Sequence, residues 1–176
     1  MSFAVKPSAP SLKTDTVASE ALCIRCGFCC DGTLFGHVPI TDEEAASLPP
    51  PLEVVAPEGK RTRLAFLQPC AAFGADCTVY KARPHTCRRY RCALLKDVEA
   101  GEVEFAAAAA IVERVQERRA AIATLTGRAF HHVKADLAAN PAMNVDAILT
   151  LLAVERDLDR HFRRENAAEA ASDETR

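Results

Sequence analysis

The sequence predicts a mainly α-helical fold that carries a small, irregular, cysteine-rich region with a β-hairpin. Three observations predict it. All eight cysteines fall between Cys23 and Cys92, four of them in the run Cys23-Ile24-Arg25-Cys26-Gly27-Phe28-Cys29-Cys30. Periodic aliphatic stripes of helical spacing sit beyond residue 103. The stretch from Cys70 to Cys92 instead interleaves Phe73, Tyr80 and Tyr90 with thiols and has too few aliphatic residues to make a core.

The chain has 176 residues, and hydrophobic residues make up 49%. That is enough for an ordinary core without covalent crosslinks, which weakens a disulfide-scaffold reading. Residues 1–18, rich in Pro, Ser, Lys and Thr, read as a flexible arm without the apolar run of a signal peptide. Residues 166–176 are polar and read as a frayed tail. Residues 19–165 read as one domain, with a cysteine-rich half (20–96) braced by a helical half (97–165), because the helices need a surface for their apolar faces. No stretch reaches the roughly 18 apolar residues of a membrane span. The net charge of −2 gives no general attraction to nucleic acid. The expectation is a cytoplasmic protein in a reducing compartment, where clustered thiols act as ligands or redox groups.

Taken in order, Gly27 lets the backbone turn tightly inside the cysteine run. Asp31-Gly32-Thr33 supplies a turn, and Leu34 to Val38 a short extended piece. Thr41-Asp42-Glu43-Glu44 is a capping-box helix start that runs through Leu48 and stops at Pro49-Pro50-Pro51. Leu52 to Ala56 and Thr62 to Leu67, joined by a turn at Pro57-Glu58-Gly59-Lys60, form the hairpin that delivers the chain to Cys70. A long helix runs from about Val103 to Thr124. It is favoured by Ala106 to Ala110, striped by Ile111, Val115, Arg118/Arg119 and Ile122, and ended by Gly127. Asn144 caps a last helix whose buried side is Val145, Ile148, Leu149, Leu152, Leu158 and Phe162, with Glu155, Arg156, Asp159 and Arg160 facing water.

Thiols this dense form either a disulfide framework or a metal site, and the reducing compartment favours metal. Cys23, Cys26 and Cys29 have Cys-x2-Cys-x2-Cys spacing, which can wrap three corners of a cubane iron–sulfur cluster while a remote thiolate supplies the fourth. A zinc site more often draws on two Cys-x2-Cys knuckles, and the later spacings, Cys70-x6-Cys77 and Cys87-x4-Cys92, are not knuckles. The spacing leans towards iron–sulfur without excluding zinc. The adjacent pair Cys29-Cys30 either serves two centres or marks a sharp bend, and eight thiols suit either two four-cysteine centres or one complete centre with bystanders.

Other candidates weigh less. His85 is a possible imidazole ligand but reads first as a surface residue. His131-His132 lies far from the thiols in sequence, His37 has no partner pattern, and Met143 reads as a packing residue. Glu43-Glu44 and Glu155/Asp159 look like helix surface rather than catalytic pairs. A redox Cys23/Cys26 pair leaves six thiols unexplained. Lys81, Arg83, Arg88, Arg89 and Arg91 make a local basic patch, read as compensation for anionic thiolates.

Cys23-x2-Cys26-Gly27-x-Cys29-Cys30, followed by Cys77-x2-Tyr80-x2-Arg83-Pro84-x2-Cys87-Arg88-x-Tyr90-x-Cys92, resembles the bacterial CxxCxxCC cysteine-cluster family of zinc- or iron-chelating domains. The resemblance covers about residues 20–95. It implies cysteine coordination of iron or zinc, with Cys23, Cys26, Cys29, Cys30, Cys70, Cys77, Cys87 and Cys92 as the candidate ligands. Around such a site, Arg83 and Arg88 can hydrogen-bond to sulfur or to nearby carbonyls, and Tyr80 and Tyr90 can shield it from water. Three functions compete. The first is a metal-binding protein with one or two cysteine-ligated centres, iron–sulfur before zinc. The second is a metal-dependent or redox enzyme. The third is a zinc-binding structural module whose protein partner meets the Lys81–Arg91 patch or a helix face.

Overall fold

A computed structural model describes residues 20–56, 64–74, 77–136 and 144–164. The predicted arm and tail, the Pro57–Lys60 turn and Met143 lie outside the described residues. The described chain is mainly helical, with one small antiparallel pair of strands in the cysteine-rich region. Its elements are α1 (residues 20–26), β1 (His37–Pro39), α2 (Asp42–Ala46), β2 (Ala65–Leu67), α3 (His85–Arg89), α4 (Ala93–Glu99), α5 (Phe105–Thr126), α6 (Phe130–Asp136) and α7 (Val145–His161). No described helix is long and apolar enough to cross a membrane.

The scaffold is α5 packed against α7. Helix α5 buries Ala108, Ala109, Val112, Val115 and Ile122, residues at helical spacing along one face. Arg114 and Arg118 both reach across to Asp157 of α7. Gly127 ends α5 in the left-handed conformation, φ 67°, and its N–H donates to the Ala123 carbonyl at 2.8 Å. That is the left-handed glycine cap that stops helices at low cost.

Helix α7 starts as expected, with the Asn144 side chain accepting from the Asp146 N–H at 2.8 Å. Its buried face differs from the expected one. Ala147, Leu151, Val154, Leu158 and Phe162 are inside. Val145, Leu149 and Leu152 are 68%, 59% and 55% exposed, and Ile148 is half-buried. The reason is continuity. The stripe 147–151–154–158–162 is apolar along its whole length, whereas 145–149–152 runs on into Arg156, Asp159 and Arg163. Glu155, expected in water, is half-buried and pairs with Lys134 and Arg163.

The capping box of α2 is present in full: the Glu44 N–H donates to Thr41 Oγ1 and the Thr41 N–H to the Glu44 carboxylate. The same carboxylate accepts from the His85 N–H and so ties α2 to α3. These two N–H bonds, His85 first, hold the Glu44 carboxyl below the usual carboxylate range.

The strands pair differently from the expectation. Ala65–Leu67 runs antiparallel to His37–Pro39, with His37 opposite Leu67 and Pro39 opposite Ala65. The expected pairing with 52–56 is reduced to a single bridge between Val55 and Ala65. Val38, Ile40, Leu52, Phe66, Cys70 and Ala72 form a small core around these strands, so the cysteine-rich half has more core of its own than its sequence suggested. The larger core joins α5 and α7 to Leu22, Phe28, Leu94 and Leu95 from the cysteine-rich half.

Candidate metal centre

The cysteine run is built as one helical turn and one tight loop. Cys23 and Cys26 lie three residues apart on α1 and therefore on neighbouring positions of one face. Gly27 ends α1 at φ 67°, and a Cβ there would sit 2.5 Å from Phe73 Cζ, so only glycine fits. The N–H groups of Cys30 and Asp31 both donate to the Gly27 carbonyl, at 2.8 and 3.0 Å, and close the loop that presents Cys29 and Cys30. Between them and Gly27, Phe28 is wholly buried, its ring 5.3 Å from that of Phe162. Helix α5 clamps the segment. Gln116 donates to the Arg25 carbonyl at 3.1 Å, Arg25 pairs with Glu113, and Arg119 pairs with Asp31 at 2.7 Å. Asp31 also accepts from the Thr33 N–H and hydroxyl, which fixes the predicted turn.

The later cysteines are placed by short-range structure. The Cys70 N–H donates to the Cys30 carbonyl at 2.7 Å. Cys77 bridges back to Phe73, and Thr78 donates through both its N–H and its hydroxyl to the Ala72 carbonyl. A 3-10 turn at Tyr80–Ala82 follows, with Arg83 Nε donating to the Tyr80 carbonyl and the guanidinium 3.5 Å over the Tyr80 ring. Cys87 sits on α3, which Thr86 moors to β1 by donating to the Pro39 carbonyl at 2.9 Å. Cys92 occupies the position just before α4, without a side-chain capping bond.

All eight cysteines are free thiols. They line two adjoining cavities. The larger, about 310 Å³, has Cys30, Cys70, Cys77 and Cys87 in a wall of apolar and aromatic groups that includes Phe66, Phe73 and Tyr90. The smaller, about 40 Å³, lies between Cys26, Cys92 and the core residues Leu22, Phe28, Leu94 and Phe162. Cys23, Cys29 and Cys30 border both.

Burial controls the thiol acidities, and neighbouring sulfurs add to it. Burial holds Cys26 well up, opposed by the Phe28 N–H and reinforced by Cys92 and Cys23. Cys29 is raised by burial, then by Cys26, Cys23 and Cys92, with Cys30 a lesser contributor. Cys30 is pushed up to about 12 by burial, then by Cys70, Cys87 and Cys77, with Cys23 last. Cys87 reaches about 11 by burial, with Cys70 and Cys77 adding and Arg83 opposing. Cys70 is raised by burial, with the N–H groups of Ala72 and Phe73 opposing; Cys92 is raised by burial, with those of Leu95 and Leu94 opposing. Cys23 is raised by burial, against Arg83 and Arg91.

Among the described residues, no three Cys, His, Asp or Glu side chains converge closely enough to hold one metal ion. The donor chemistry nevertheless fits a thiophilic metal or cluster. Eight free thiols border two cavities. A metal would displace the thiol protons and supply the charge that the buried sulfurs lack.

The remaining candidates separate clearly. Arg83 stands in the wall of the larger cavity, whereas Arg88 is exposed on α3. His85 is exposed, and the His131 and His132 rings lie together on α6, 4.1 Å between centroids. His37 lines the larger cavity, as does Gln68, whose buried Oε1 has no hydrogen-bond partner. Neither stood out in the sequence, because only the β1–β2 pairing brings them to the thiols. Within the basic patch, Lys81, Arg88, Arg89 and Arg91 are exposed, and Arg91 pairs with Glu99 at 3.2 Å.

Residues 22–114 match the CxxCxxCC family, whose description is "putative zinc- or iron-chelating domain". The match spans more than half of the chain, so the protein belongs to this family. Neither the curated proteins nor the solved structures provide a match.

Proposed function

We propose that this CxxCxxCC protein is an iron–sulfur protein whose eight cysteines are the metal ligands. The observation that carries the reading is the company kept by the Cys-x2-Cys-x2-Cys run. Cys23, Cys26 and Cys29 share the border of the smaller cavity with Cys92, more than sixty residues away in sequence. Three ligands from one loop and a fourth from afar is the habit of cubane clusters, and it differs from the paired knuckles of zinc modules. The buried, apolar setting suits a cluster that must be kept from water, and free thiols accord with a reducing compartment. Leu22 and Phe28 enter the same core as α5 and α7, which supports reading residues 19–165 as one domain.

A second reading, a redox or Lewis-acid enzyme, is favoured by one feature: the larger cavity offers reactant-sized apolar space directly beside six thiols. A bound iron centre there would supply electron transfer or an electrophilic iron. Around it Arg83 supplies positive charge, Tyr80 and Tyr90 limit water, and His37 lines the wall.

Anaerobic purification followed by iron, zinc and acid-labile sulfide analysis tests the proposal. The expected protein is brown and carries iron and sulfide in comparable amounts. A colourless protein with stoichiometric zinc and no sulfide, also after anaerobic reconstitution, overturns it in favour of the zinc module.

A further inference from the structure

We infer that the eight thiols form two separate four-thiolate centres, Cys23/Cys26/Cys29/Cys92 and Cys30/Cys70/Cys77/Cys87, divided at the peptide bond between Cys29 and Cys30. The inference rests on the metal-binding reading above. It adds the number of centres, the membership of each and their different surroundings.

Three observations divide the thiols in the same way. The first is packing. Cys26 and Cys92 pack against the large helical core, whereas Cys30 and Cys87 pack against the small strand-side core, of which Cys70 is a member. The second is the cavities. Cys26 and Cys92 border only the smaller one, and Cys70, Cys77 and Cys87 only the larger. These two observations leave Cys23 and Cys29 to be assigned, and the third, the backbone, assigns them. Cys23 lies one helical turn before Cys26 on α1. The Cys70 N–H bond to the Cys30 carbonyl joins Cys30 to Cys70 through the backbone. Cys30, Cys70, Cys77 and Cys87 are then already four, which leaves Cys29 to the first set. Each set then numbers four, the count that closes a tetrahedral thiolate site or a cubane.

The loop explains how adjacent residues serve different centres. Gly27 turns the chain, Phe28 anchors it in the helical core, and the Cys30 and Asp31 N–H groups fold back on the Gly27 carbonyl. Cys30 meets the strand side, while Cys29 borders both cavities. The settings are unequal. The first set surrounds about 40 Å³, whereas the second faces the cavity of about 310 Å³. The second centre therefore has reactant-sized space beside it that the first lacks.

Cadmium, a tetrahedral thiophilic ion, tests the partition without depending on iron. The full chain is loaded with cadmium, and cadmium–proton correlation NMR identifies which cysteine Hβ protons couple to which ion. The expected result is two cadmium signals per chain, each correlated with one quartet only. A single signal, or a signal correlated with both Cys26 and Cys87, overturns the partition. Cys26→Ser should abolish the first signal and keep the second, and Cys87→Ser the reverse, each removing about half of the bound cadmium. The wild-type correlation decides the matter even where a variant misfolds. Two cadmium centres in a chain that takes up neither iron nor sulfide uphold the partition and defeat only the iron–sulfur reading. No cadmium uptake defeats both.

Discussion

Between α5 and α7 the apolar surface is closed by aliphatic side chains alone: Val112, Val115, Leu151, Val154 and Leu158 meet with almost no exposure. From Cys70 to Cys92 the comparable positions are held by thiols around a cavity, with short hydrogen bonds and a few aromatic rings between them. The first region is held by buried hydrocarbon, at roughly 1.5–3 kcal/mol per large side chain. The second encloses space rather than filling it, and buried thiols without a metal contribute little cohesion. The contrast teaches that one chain can divide its folding free energy between packing and chelation, and the two can be separated by experiment.

The largest expected effect comes from removing metal. Hydrogen exchange in the described part of residues 70–92 should rise steeply in the metal-free protein, while α5 and α7 keep their protection. Metal binding to small thiolate sites is worth about 10–16 kcal/mol in apparent terms, far more than that segment's packing. Equal protection of the segment in both states would break the comparison, making the metal an accessory to a prebuilt fold and favouring the enzymatic reading.

Phe28→Ala comes next. Phe28 belongs to the cysteine run in sequence but to the helical core in space, against Phe162 and under the Arg119 guanidinium. The loss should be about 3–5 kcal/mol by urea unfolding, as for other buried aromatic truncations. It should also weaken the Cys23/Cys26/Cys29/Cys92 site more than the other, because Phe28 walls the smaller cavity alone. Equal weakening of both would show that the two sets are not independent.

Gly27→Ala is smaller. A left-handed residue with a Cβ costs about 1–2 kcal/mol, and overlap with the Phe73 ring adds a similar amount, giving about 2–4 kcal/mol in all. Replacing Phe73 by Leu in the same chain should recover the ring's share and leave the backbone's. No recovery in thermal melts would place the strain elsewhere.

The thiols give a pH dependence with a definite sign. The folded values of Cys23, Cys26, Cys29, Cys30, Cys70, Cys87 and Cys92 lie above the ordinary thiol range, so the metal-free fold has its full stability below that range. It loses stability as pH rises through about 11 for Cys87 and about 12 for Cys30. Metal uptake must expel protons from these same groups, so apparent metal affinity should rise with pH and fall on acidification. Urea midpoints of metal-free protein that stay flat into the alkaline range, together with pH-independent metal affinity, would contradict the burial of the thiols.

Much of the scaffold was legible because it rests on local chemistry. The Thr41–Glu44 capping box, the Gly127 stop and the Asn144 cap each need only residues a few positions apart. Helices α3, α4 and α6 were not legible: they span five to seven residues, too short for an apolar period to declare itself. The eight thiols were visible as candidates, but their neighbours were not. Proximity of Cys92 to Cys26, or of His37 to Cys87, depends on tertiary packing that no spacing encodes. Helix α7 was misread for a different reason. Two apolar stripes coexist in its first half, and only continuation into the second half distinguishes them.

That misreading yields the smallest and sharpest test. Leu149 and Leu152 are more hydrophobic than Ala147 and, taken alone, look like the better core residues. If the stripe 147–151–154–158–162 is the buried one, Leu149→Gln or Leu152→Gln exchanges solvent-exposed surface and should shift stability by no more than about 0.5 kcal/mol. Leu151→Ala, two residues from Leu149 and one from Leu152, should cost about 2–5 kcal/mol, because it opens space in the shared core. All three changes leave the cysteines untouched, so metal content should stay constant throughout the series. A large loss from Leu149→Gln with a small one from Leu151→Ala would rotate α7 by nearly half a turn. It would also unseat the packing of Phe162 on Phe28, and with it the wall of the smaller cavity.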